Sequence, residues 1–92
     1  MLNFDEAVEI ASNALHYDAR EKLQDAVMET ERYTARKAGA PYTSEYKIPR
    51  ISFHTSWDEY IYFSVADLRE WIRLVRVRDI RRAKRKSFLN RV

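Results

Sequence analysis

Residues 64–91 read SVADLREWIRLVRVRDIRRAKRKSFLNR, and this stretch decides the fold. Val65, Leu68, Trp71, Ile72 and Val75 fall within about 120° of one another on a helical wheel, the width of an ordinary core-facing stripe. Ser64 and Asp67 have the spacing of a capping box, with Asp in place of the usual Glu. The first half of the stretch is therefore an amphipathic helix that can hold a core. Continued past Val75, the same stripe meets Asp79, Arg82 and Lys86. Ile80, Ala83, Phe88 and Leu89 remain, but they point in scattered directions. The second half reads as a helical basic arm that the core does not need.

Upstream, residues 50–55 and 60–64 alternate with period 2, the strand signature. Ile51, Phe53, Ile61 and Phe63 form one face. Arg50, Ser52, His54, Tyr60 and Tyr62 form the other. Residues 56–59, SWDE, make a hairpin loop. An isolated hairpin is marginal in water, so its apolar face must lie on helices. Residues 41–48, PYTSEYKI, alternate more weakly and suit a third short strand or an extended loop.

Residues 3–38 read as helix, with Phe4, Val8, Ala11, Leu15, Ala19, Ala26 and Tyr33 on one face and Leu23 and Val27 widening it. Asp5, Glu6 and Glu9 suit the positive end of the dipole. Arg36, Lys37, Gly39 and Pro41 form a stop signal. One continuous helix would run about 54 Å, against about 30 Å for a compact domain of this length. The helix either breaks near residues 16–18, where Asp18 and Glu21 have capping-box spacing, or overhangs. No Pro or Gly interrupts it, so a continuous helix is the expectation. Its surplus apolar stripe gives a homodimer a physical basis. The fold class is α+β: a long N-terminal helix, a central antiparallel β-hairpin and a C-terminal amphipathic helix ending in the basic arm. All of it lies in a single domain over residues 1–92.

Composition narrows the function. The 92 residues contain no Cys, which excludes disulfides, thiolate metal sites and Cys nucleophiles and fits a reducing compartment. With one Gly there is no Gly-rich phosphate loop. The longest apolar run is far below the roughly 18 residues of a membrane span, and the acidic N-terminal stretch lacks the basic region of a secretory signal. A cytoplasmic location is expected, a host's cytoplasm if the protein is viral. His54 with Asp58 and Glu59, and the E-x-K of Glu45 to Lys47, are the only hints of chemistry. Both are too incomplete to assign a catalytic residue, a metal site or a cofactor, and enzymatic activity is not expected.

Charge is unevenly spread. Residues 1–40 carry net −3, residues 41–66 net −1 and residues 67–92 net +7, giving +3 overall. Arg73, Arg76, Arg78, Arg81, Arg82, Lys84, Arg85, Lys86 and Arg91 make up most of the last segment. Arg exceeds Lys, and its planar fork favours bidentate pairing with phosphate or carboxylate. The expected function is non-enzymatic binding in which this arm contacts nucleic-acid phosphates, DNA or RNA. The alternative is a protein-binding regulator or inhibitor directed at an acidic partner. Phage-type inhibitors, anti-CRISPR proteins among them, share this size and composition. Asp5, Glu6, Glu9, Asp25, Glu29 and Glu31 could also neutralise the arm within the chain. Arg50, His54, Trp57, Tyr60 and Tyr62 form a secondary candidate surface. Trp57 at the loop tip is expected to tuck onto the core, the other option being an interface anchor.

Overall fold

The computed structural model describes the backbone of residues 1–37 and 48–89, with side chains for residues 1–34 and 48–84. The chain runs β1 (Leu2–Asn3), α1 (Phe4–Leu15), α2 (Arg20–Lys37), β2 (His54–Thr55), β3 (Ile61–Phe63) and α3 (Val65–Leu89). It is α+β, with an antiparallel sheet of order β1-β3-β2.

The N-terminal helical stretch is not continuous. It breaks at His16, which takes the left-handed conformation at φ 65° and returns its N–H to the Ser12 carbonyl at 2.9 Å. His is among the residues that tolerate this region best after Gly and Asn. Ser12 Oγ then accepts Ala19 N–H at 2.9 Å, and Asp18 accepts Arg20 N–H at 3.0 Å. Donors at the start of α2 that no helical carbonyl can reach are thus satisfied. Asp18 acts from just outside the helix, because Ala19 occupies the cap position and its carbonyl accepts Leu23 N–H. The turn folds the apolar stripe back on itself, which removes the overhang on which a homodimer was argued. At the other end of α1, Asn3 and Glu6 form a reciprocal capping box at 2.8 and 3.1 Å.

The hairpin forms, but its ladder is shorter than the alternation suggests. Only His54 and Thr55 pair with β3, opposite Tyr62 and Ile61. The reason lies at Ile51, whose N–H donates to Thr30 Oγ1 at 3.1 Å and whose carbonyl lies 2.9 Å from that hydroxyl. Its backbone is committed to α2 and is not free to extend the ladder. Trp71 Nε1 donates to the Pro49 carbonyl at 2.9 Å, tying the same segment to α3. The third strand is β1, which lies on the other side of β3 with Leu2 opposite Phe63. The strand expected at residues 41–48 falls outside the described residues except for Ile48, which is buried in no regular element.

One core joins these elements. Val8, Ala11, Leu23, Ala26 and Val27 pack with Ile51, Phe63, Leu68, Trp71, Ile72 and Val75. Each large apolar side chain buried here contributes on the order of 2–3 kcal/mol. Val65 was expected in this stripe but is exposed, since it is the first residue of α3 and stands off the end of the core. Ser64 Oγ caps the helix by accepting Asp67 N–H at 3.0 Å. From there α3 runs 25 residues, about 37 Å. Among its described side chains the last fully buried one is Val75.

Candidate anion-binding surface on the C-terminal helix

α3 leaves the core by stages, and its basic residues divide accordingly. Arg73 pairs with Glu70 one turn earlier through two contacts, 3.0 and 2.6 Å. That bidentate bond holds the exposed Glu70 carboxyl below the usual carboxylate range. Arg76 reaches across to α1 and donates to the Ala14 carbonyl at 2.7 Å. α1 has no basic residue in its own last turn, so Arg76 supplies the cation that the negative end of its dipole favours. Arg78 is half-buried. Burial first, and the neighbouring Arg82 second, push its guanidinium down from its ordinary value.

Beside it lies a polar junction that the sequence reading missed. The Tyr17 hydroxyl donates to Asp79 Oδ2 at 2.8 Å and accepts from Lys22 Nζ at 2.9 Å. Lys22 Nζ also sits 3.7 Å from Asp79 Oδ1 and 4.1 Å from the Tyr17 ring centre. Burial, reinforced by the bond to Asp79, pushes the Tyr17 phenol up to about 12. The signal was present in the stripe: Asp79 continues the buried face, and a carboxylate there needs a partner from the opposing element.

Arg81, Arg82 and Lys84 are different. All three are exposed, and they make no hydrogen bond or ion pair among the described residues. The backbone of α3 carries Arg85 and Lys86 onward in the same helix, though their side chains lie outside the described set, as does Arg91 altogether. Among the described residues, no acidic side chain of α1 or α2 pairs with Arg81, Arg82 or Lys84. Asp5 pairs with Arg20 at 3.0 Å, and Glu29 is 3% exposed. Lys22–Asp79, which links α2 to α3, has its signs the other way round.

A cleft of about 530 Å³ separates the end of α1 from α3, floored by Ala14, Leu15, Ile80 and Ala83. Thus the Ile80–Ala83 side of the arm faces α1, while Arg81 faces away and Arg82 and Lys84 lie on the flanks.

The secondary surface is only partly assembled. His54, Tyr62 and Asn3 are cross-strand neighbours on one face of the sheet. Tyr60 is exposed beside them. Arg50 is elsewhere: its guanidinium carbon sits 3.6 Å from the ring centre of Tyr33 on α2. Trp57 does not tuck back. It is 96% exposed on a turn closed by Glu59 N–H to the Ser56 carbonyl and by Ser56 N–H to the Tyr60 carbonyl. A hydrogen bond from Ser56 Oγ to Asp58 further ties the turn. With the chain closing tightly on itself, the ring has no core within reach.

Among the described residues, no cluster of three or more His, Asp or Glu side chains is placed to hold a metal ion, and no helix is long and apolar enough to cross a membrane. No protein-family model matches the sequence, and comparison with curated proteins and with solved structures finds no match.

Proposed function

We propose that this chain is a small non-enzymatic binding protein whose distal α3 contacts nucleic-acid phosphates. The observation that carries this reading is the exposure of Arg81, Arg82 and Lys84 without partners on a helix that has left its core. An exposed cation is well solvated, so a run of them adds nothing to folding. Each does, however, release a condensed counterion when it meets a phosphate. Arg73 and Arg76 are paired within the chain and Arg78 is half-buried, so these three act as supports of the arm rather than as contacts. Three phosphate contacts give a slope of log affinity against log salt of about −2.7, and any contact from Arg85, Lys86 or Arg91 steepens it. The test is fluorescence anisotropy of a labelled 20-base-pair duplex at 50 and 200 mM salt. Binding that weakens by at least tenfold between the two supports the proposal, and no binding at 50 mM refutes it.

A second reading, an inhibitor or regulator of an acidic protein, is favoured by one observation. Trp57 is an exposed aromatic on a tight turn, the kind of residue that anchors interfaces. Exposed Val77 and Ile80 among the arginines suit a protein surface as well. Nuclease-treated pull-down separates the two readings. One stoichiometric protein that survives nuclease and is lost in Trp57→Ala supports the inhibitor, and loss of all partners on nuclease treatment refutes it.

A further inference from the structure

The free cations are not spread over a flat face, and their angular arrangement narrows the ligand. Successive helix residues are about 100° apart. Arg82 and Lys84 therefore project about 160° apart, on nearly opposite flanks of α3. Arg81 lies between them, about 100° from Arg82 and 60° from Lys84. The direction opposite Arg81 is taken by Ala83, which with Ile80 lines the cleft against Ala14 and Leu15 of α1. The arm thus has its back to the protein, one cation facing outward and one on each flank.

A convex or flat array of phosphates can touch only one side of such a rod. Both flanks are satisfied together only where phosphates rise on two sides, as they do along a groove. A helix with its side chains is about 10–12 Å across, and the major groove of B-form DNA is about 12 Å wide. The minor groove, at about 6 Å, is too narrow. The major groove of an A-form RNA duplex is deep and narrow and does not admit side chains for reading. A single strand has no fixed pair of walls.

We infer that the ligand of this arm is B-form duplex DNA, with α3 seated in the major groove. This inference rests on the phosphate-binding proposal and adds to it the class of nucleic acid. In that pose Arg82 and Lys84 meet phosphates on the two walls. Arg81 points to the floor, where a guanidinium can pair bidentately with guanine O6 and N7. The Ala83 side stays turned toward α1 and out of the groove.

The test compares four labelled ligands of equal length at 50 mM salt: duplex DNA, duplex RNA, single-stranded DNA, and duplex DNA carrying glucosylated 5-hydroxymethylcytosine. The last keeps every phosphate but fills the major groove. The expected result is that plain duplex DNA binds at least tenfold tighter than the other three. Equal binding of the RNA duplex, the single strand or the glucosylated duplex overturns the groove inference while leaving phosphate binding intact. Failure of all four to bind overturns both. Arg82→Ala and Lys84→Ala, both at exposed positions outside the core, are each expected to lower the salt slope for plain duplex by about 0.9. If only one of the two lowers it, the two-walled pose is wrong.

Discussion

Replacing Tyr17 with Phe tests the junction that sets α3 against the corner between α1 and α2. The substitution keeps the ring and removes one oxygen. That oxygen donates to Asp79 at 2.8 Å and accepts from Lys22 at 2.9 Å. Hydrogen bonds to charged groups contribute about 1.5–3 kcal/mol each when sheltered. Lys22 and Asp79 are about one-third exposed, so solvent screening brings the combined loss to about 1–2 kcal/mol. In a domain of this size that lowers the melting temperature by about 5–15 °C. The pH dependence supplies a second readout. The phenol is raised from 10.0 to about 12, so the folded protein holds its proton while the unfolded chain loses it. The stabilisation is complete below pH 10 and is lost as pH rises toward 12. A change of this size corresponds to at most about 2.7 kcal/mol, reduced to about 1 kcal/mol by screening at a partly exposed site. Urea unfolding followed by circular dichroism at pH 7, 10 and 11 measures both. Wild type is expected to exceed Tyr17→Phe in stability at pH 7, and the gap is expected to narrow at pH 11. Equal stabilities at pH 7, or parallel losses from pH 10 to 11, would refute the junction.

Three further outcomes follow from the fold. Thr30→Val retains the shape of the side chain but leaves the buried Ile51 N–H without its acceptor; it is expected to cost about 2 kcal/mol, read as a melting temperature about 8–16 °C lower. Glu59 adopts φ 67° in the hairpin turn, so Glu59→Gly is expected to be neutral to stabilising by up to about 1 kcal/mol in the same urea assay, and a clear loss of stability would contradict the turn geometry. Trp57 is almost fully exposed and Trp71 is 1% exposed. Trp57→Phe should therefore change stability by less than about 0.5 kcal/mol and leave a single Trp emission that acrylamide barely quenches.

Much of this architecture is legible in the sequence because it follows from periodicity. Leu68, Trp71, Ile72 and Val75 repeat at helical spacing and are buried. Ser64 was read as the cap of α3, and its hydroxyl accepts Asp67 N–H at 3.0 Å. The end of the core under Asp79 and Arg82 was visible as the point where the stripe turns polar. What escaped depends on partners distant in sequence. The break after Leu15 contains no Gly or Pro. It is held by Ser12 reaching Ala19 and by Arg76 reaching Ala14 across 62 positions. A two-residue strand such as β1 has no period to detect. The short β2 ladder follows from a single hydroxyl on α2. Local pattern also treats nine basic residues as equivalent. Only packing separates Arg73 and Arg76, which are paired, and Arg78, which is half-buried, from Arg81, Arg82 and Lys84, which are exposed and unpaired among the described residues.

The most direct measurement is the salt dependence of duplex DNA binding for wild type and for the triple variant Arg81→Ala, Arg82→Ala, Lys84→Ala. All three positions lie outside the core, so circular dichroism and the melting temperature are expected to stay unchanged. Phosphate contact by these residues predicts that the slope of log affinity against log salt becomes shallower by about 2.7, with affinity at 50 mM salt falling at least tenfold. An unchanged slope and affinity in the folded variant would contradict it.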